Sequence, residues 1–114
     1  MITIWHNPRC SKSRQTLALI EASERPFTVR RYLEDTPNER EIAAAQKALG
    51  LPGLIDMMRR GEAVFRDLGL SASSPQADLM AALLAHPILI ERPIVFAGTR
   101  AVIGRPPEAV AELL

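Results

Sequence analysis

His6-Asn7-Pro8-Arg9-Cys10-Ser11-Lys12-Ser13-Arg14 is the stretch on which the reading of this chain turns. It follows the apolar run Ile2-Thr3-Ile4-Trp5 and leads into the helix-like segment Gln15 to Ala22. The order is strand, tight loop, helix, with the only cysteine, Cys10, at the loop-to-helix junction. A helix N-terminus offers backbone N–H groups that lack intrahelical partners, and the positive end of the helix dipole. Both favour a thiolate, as do the adjacent cations Arg9, Lys12 and Arg14. The Cys10 pKa is therefore expected below the free value of roughly 8.5. The same groups would hold an oxyanion beside the sulfur. The loop reads as a nucleophilic thiolate inside an anion site.

Outward from this loop, the β-branched residues of Ile2–Trp5 suit a buried strand. The first helix should start near Ser11, with Leu17, Ala18, Ile20 and Ala22 at helical spacings, and end at Ser23-Glu24-Arg25-Pro26. Phe27 to Tyr32 alternates as a second strand does. Strand, helix, strand in about 30 residues is a βαβ unit with parallel strands and a right-handed crossover. Thr36 reads as an N-cap, Pro37 as the first helical residue and Glu39 as the partner in a capping box, with Gly50 stopping the helix after Leu49. Residues 51 to 85 look helical in pieces: Leu51 to Arg60, a break at Gly61, a turn near Gly69, and a helix from Ser74-Pro75 to about Ala85. Ile94–Ala97 and Ala101–Ile103 flank the turn Gly98-Thr99 as a hairpin, and Pro107 to Leu114 reads as a terminal helix. The order β-α-β, a helical insertion over about 37–85, then β-β-α is the α/β arrangement of thioredoxin-like proteins.

Length and composition bound what such a chain can do. At 114 residues, residues 1–114 are expected to form one domain with a core that needs no disulfide staples. The net charge of +1, from 14 basic and 13 acidic residues, argues against a general nucleic-acid binder. One cysteine excludes an intramolecular disulfide and a cysteine-rich metal site. Met1 leads straight into a strand, so no signal peptide is expected, and no apolar run reaches the roughly 18 residues of a membrane span. A reducing, cytoplasmic setting is the expectation, with no membrane, no metal and no bound cofactor, and a monomeric state.

Two neighbouring thiol chemistries are excluded by spacing. A thioredoxin-type dithiol needs a second cysteine where Ser13 stands, so any mixed disulfide on Cys10 must be resolved by an external thiol. A low-molecular-weight phosphatase loop needs arginine six positions after the cysteine, where this chain has Thr16. Ser11 and Ser13 suit helix capping, and the Ser13 hydroxyl could also bond the Cys10 sulfur. His6 could orient the loop, cap the strand end or, if protonated, add positive charge. Arg92-Pro93, just before a strand, is a candidate cis peptide that would bring Arg92 toward Cys10, where a guanidinium can grip an oxyanion bidentately. Arg59 and Arg60 end a helical segment, where cations suit the dipole without any site. Arg105 precedes Pro106-Pro107 at a helix start, where a cation is unfavourable unless an anion offsets it.

The chain also carries a resemblance along nearly its whole length. His6-Asn7-Pro8-Arg9-Cys10, Tyr32-Leu33-Glu34, Met57-Met58-Arg59-Arg60, Leu68-Gly69-Leu70, His86 to Val95, Gly98-Thr99-Arg100 and Arg105-Pro106 together resemble the ArsC family, the glutaredoxin-linked arsenate reductases. The version Arg9-Cys10-Ser11-Lys12 is typical of a chromosomal branch of that family. The resemblance implies a thioredoxin-like fold and a role in arsenic detoxification. It implies Cys10 as the nucleophile that attacks arsenate, and Arg59, Arg92 and Arg105 as the oxyanion-binding arginines. His6, Ser13 and Arg14 are the residues expected to support the thiolate. It further implies glutathione as co-substrate and glutaredoxin as the reducing partner. A reading from another class is a Spx-type adaptor of the same fold that binds RNA polymerase, although Ser13 removes the disulfide switch such regulators use.

Overall fold

A computed structural model describes all 114 residues. Four strands are present, β1 (Ile2–Trp5), β2 (Phe27–Arg30), β3 (Ile94–Ala97) and β4 (Arg100–Ile103). The α-helices are α1 (Ser11–Ala22), α2 (Glu39–Leu49), α3 (Ala63–Asp67) and α4 (Gln76–Ala85), and short 3-10 helices cover Leu54–Met57, Pro87–Leu89 and Pro107–Leu113. The chain divides into two compact units, one made of Met1–Asp35 with Arg92–Leu114 and the other of Thr36–Glu91.

The first unit holds the sheet, in the order β2-β1-β3-β4. β1 and β2 are parallel, with Ile4 opposite Val29, as a strand-helix-strand unit requires. β3 runs antiparallel to β1, with Val95 opposite Ile4, and β4 antiparallel to β3. The alternation of β1 puts Ile2 and Ile4 on one face, where they meet Ile20 of α1, Val95, Val110 and Leu113. Ile4, Ile20, Val95 and Val110 are fully buried. Each such side chain contributes about 1.5–3 kcal/mol of transfer free energy. This core anchors β1 and α1, so the loop between them is held at both ends.

Three expectations need correction here. The second strand stops at Arg30, because Glu34 and Asp35 both donate backbone N–H groups to the Arg31 carbonyl (3.0 and 2.8 Å) and curl the chain into a turn with Tyr32 buried. The buried stripe of α1 is Ser13, Thr16 and Ile20, with Leu17 half-buried, whereas Ala18 and Ala22 face solvent. The terminal segment is 3-10 rather than α-helical and runs Pro107–Leu113.

In the second unit the capping box sits two residues later than expected. Asn38, not Thr36, is the N-cap: Asn38 Oδ1 accepts from the Glu41 N–H (2.9 Å), and Glu41 Oε1 accepts from the Asn38 N–H (3.0 Å). Both Thr36-x-x-Glu39 and Asn38-x-x-Glu41 fit the pattern, and asparagine is the better cap. Gly50 ends α2 in the left-handed conformation at φ 70°. Residues 51 to 60 are not one helix. After Pro52-Gly53 only Leu54–Met57 turns, and Met58 then extends to bridge Ile90. The Met57 carbonyl accepts from Glu91 (2.8 Å) and the Arg59 N–H donates to Leu89 (2.7 Å), which takes the groups a helix would have used. Ser74 does not cap α4 with its side chain, because its hydroxyl accepts from the Ser71 N–H (2.9 Å). The unit reaches Glu91, beyond the expected end of the insertion near residue 85.

Candidate active site

The loop that follows β1 is built by short-range hydrogen bonds. His6 still pairs with the β2 side through its N–H to the Arg30 carbonyl (2.8 Å). Asn7 then turns the chain: its side-chain Oδ1 accepts from the Arg9 N–H (3.0 Å) and its carbonyl from the Cys10 N–H (3.0 Å). Arg14 reaches back one turn and donates Nη1–H to the Pro8 carbonyl (2.9 Å). Cys10 itself is the N-cap of α1, with extended backbone at φ −96° and ψ 123° and only 8% of its surface exposed.

Ser13 is fully buried one turn into α1. Its hydroxyl oxygen accepts from the Asn7 N–H (3.0 Å) and lies 2.7 Å from His6 Nδ1. Burial, and then the charges of Arg31 and Arg14, lower the His6 pKa against a smaller opposite effect of Glu21. A neutral imidazole with its proton on Nε2 lets the Ser13 hydroxyl donate to Nδ1 while its oxygen accepts from Asn7. His6 is thus a neutral brace for the loop, which corrects the idea of an added cation. Ser13 also acts differently from the expectation, since its hydroxyl is committed to His6 and Asn7 and its backbone N–H serves the sulfur.

The Cys10 pKa is lowered by a sum of opposed effects. Burial, the largest of them, pushes it up. The Ser13 N–H, the hydrogen bond and charge of Arg92, and the Lys12 N–H pull it down and together prevail. Arg105 adds Nη2 at 3.8 Å from Cys10 Sγ, and its Nε donates to the Arg92 carbonyl at 2.8 Å. The helix start so exposes N–H groups to the sulfur, while two arginines from far along the chain supply the charge. Arg9, Lys12 and Arg14, the cations adjacent in sequence, have exposed side chains. Arg14 is the clearest departure, since it staples the loop at Pro8.

Arg92-Pro93 is a cis peptide, and so is Arg105-Pro106, for which the sequence carried no signal. Pro93 accepts the Gly104 N–H at 2.9 Å, so the segments that carry Arg92 and Arg105 are tied together beside Cys10. Arg59 belongs to the other unit. It is half-buried there, with Nε 3.0 Å from Glu62 and Nη1 3.7 Å from Glu91. Besides the tie through Gly104, sequence reasoning misses Arg31 as a charge acting on His6. A charged neighbour across a sheet edge leaves no local signature.

A thiolate at a helix N-terminus, faced by two guanidinium groups, can hold an oxyanion and attack an electrophilic centre within it. The model of the ArsC family matches residues 5–113. The chain belongs to the ArsC family. Among ArsC relatives, an arsenate reductase of Haemophilus influenzae is 42% identical over 99% of this chain and 98% of its own length. An arsenate reductase of Escherichia coli is 39% identical over 99% of this chain and 80% of its own. The solved structure of an arsenate reductase from Vibrio cholerae superposes with a TM-score of 0.95 at 44% identity, covering 99% of this chain and 97% of that one. The thioredoxin-like arrangement expected from the order of elements is therefore the fold of this ArsC protein. No helix is long and apolar enough to cross a membrane.

Proposed function

We propose that this protein is an arsenate reductase that uses Cys10 as its single nucleophile and glutathione with glutaredoxin as external reductants. The observation that carries the reading is the lowered pKa of Cys10 at the N-cap of α1, with Arg92 and Arg105 at its sulfur. Full-length ArsC relatives named as arsenate reductases supply the substrate. In this reading the thiolate attacks arsenic(V) and displaces a hydroxyl as water, forming a thiol-arsenate ester. The glutathione thiol adds across an As=O bond, its sulfur to arsenic and its proton to the oxygen, so that both As–S bonds can break in the next step. The two sulfurs then join as a mixed disulfide, which transfers two electrons to arsenic and releases arsenite. A glutaredoxin thiol takes the glutathione from Cys10 and restores the thiolate. The external thiols supply the role that a second cysteine would otherwise fill. Arg92 and Arg105 hold the oxyanion.

The test is arsenate-dependent NADPH oxidation by purified protein, coupled through glutathione, glutaredoxin and glutathione reductase. Turnover that disappears in Cys10→Ser supports the proposal. Absent turnover, with Cys10 still alkylating rapidly at neutral pH, overturns it and transfers the thiolate to another target.

A further inference from the structure

Gly104 is buried at the end of β4, next to Arg105. A side-chain carbon there would lie 2.6 Å from Thr16 Oγ1, 2.8 Å from Pro93 Cγ and 3.1 Å from Thr16 Cγ2. The first two are closer than real side-chain carbons approach, and neither neighbour can swing away. Thr16 is fully buried, and its hydroxyl donates to the Lys12 carbonyl at 2.8 Å. Pro93 is buried and accepts the Gly104 N–H at 2.9 Å. The φ of Gly104 is not in the left-handed region, which Gly50, Gly69 and Gly98 occupy. Glycine is therefore required here for space, not for backbone conformation.

The three residues that meet at this point each lie beside a working group. Thr16 is on α1, in the turn after the Lys12 and Ser13 N–H groups that face Cys10. Pro93 follows Arg92, and Gly104 precedes Arg105. We propose that Gly104 is a positioning residue: its missing side chain lets the Pro93 and Arg105 segments close onto the first turns of α1 and sets Arg92 and Arg105 against Cys10 Sγ. Any side chain at 104 wedges the arginine-bearing segments away from the helix. Moving the 2.6 and 2.8 Å contacts out to an ordinary 3.4 Å opens the gap by 0.6–0.8 Å, enough to lengthen the already long 3.8 Å approach of Arg105 beyond hydrogen-bonding range. As a statement about turnover this rests on the arsenate reading above; as a statement about the thiolate it does not.

The experiment measures Cys10 alkylation by iodoacetamide against pH in the wild type, Gly104→Ala, Thr16→Ala and the double variant, each checked for a cooperative unfolding transition. The midpoint of the profile reports the thiolate pKa, and its direction separates the causes: looser packing that uncovers Cys10 lowers it, whereas withdrawal of the arginines raises it. Gly104→Ala is expected to raise the midpoint by about one unit, which lowers the thiolate fraction below the midpoint about tenfold. The double variant, which removes the Thr16 contacts but keeps the Pro93 one, should fall between Gly104→Ala and Thr16→Ala. A folded Gly104→Ala with the wild-type midpoint overturns the proposal. If Gly104→Ala alone does not fold, the double variant is read against Thr16→Ala: a higher midpoint supports the proposal and coincident midpoints overturn it. Because no arsenate is used, failure of the reductase reading would leave these midpoints, and what they say of Gly104, intact.

Discussion

At Cys10 burial disfavours the charged sulfur, while backbone N–H groups and Arg92 favour it, and the second set prevails. Removing one charged partner should reverse the balance. Arg92→Ala is expected to raise the alkylation midpoint of Cys10 and to abolish arsenate turnover, whereas a wild-type midpoint in a folded variant would remove Arg92 from the site. Ser13 separates two roles within one residue. Its hydroxyl satisfies the Asn7 N–H, which lies in a buried residue, and its N–H faces the thiol. Ser13→Ala should therefore cost about 1–3 kcal/mol of stability through the orphaned donor. It should move the Cys10 midpoint less than Arg92→Ala does. Urea unfolding and the pH profile of alkylation, run on the same sample, check both halves of that statement.

Among the elements, α2 shows how two equivalent local signals are resolved. Thr36-x-x-Glu39 and Asn38-x-x-Glu41 are the same pattern two residues apart, and the helix takes the asparagine. Asn38→Ala should destabilise the protein by about 1 kcal/mol through loss of the cap. The thermal midpoint checks it, and a variant as stable as the wild type would show that the cap contributes nothing. The segment 51–60 teaches the converse. Its composition suits a helix, but long-range backbone partners, Leu89 for Arg59 and Glu91 for Met57, stop the turn at Met57 and draw Met58 into an extended bridge with Ile90. A local reading has no access to partners some thirty residues away.

For the whole molecule, the two shifted groups make stability depend on pH. The His6 pKa is lowered in the folded state, so the unfolded chain binds the proton first as pH falls below the ordinary value of about 6.5. Stability from this group is fully present above that value and is lost as pH falls through the folded pKa. The Cys10 pKa is also lowered, so its contribution is complete above the ordinary thiol value and declines as pH falls toward the folded pKa. The stability difference between wild type and Cys10→Ser should thus grow in favour of the wild type from about pH 7 to about pH 9. Urea midpoints across that range test the sign, and a flat difference would refute a lowered thiol pKa.

The order of elements, the parallel strand pair around α1 and the place of Cys10 at a helix start were legible in the sequence, because each rests on neighbours along the chain. β-Branched residues mark the first strand and alternation the second, Gly50 stops α2, and a lone cysteine among polar residues marks the junction. What surrounds the sulfur was decided by the tertiary structure. Arg9, Lys12 and Arg14 stand next to Cys10 in the chain, yet Arg92 and Arg105 reach the sulfur, because the antiparallel pairing of β3 with β1 and β4 places the start of β3 and the end of β4 beside the end of β1. The spatial need for glycine at 104 had no sequence signal either, since its neighbours Thr16 and Pro93 meet it only after folding. Local propensity and periodicity act over a few residues, whereas charge and excluded volume act through space, between residues that only the packed sheet and helix bring together.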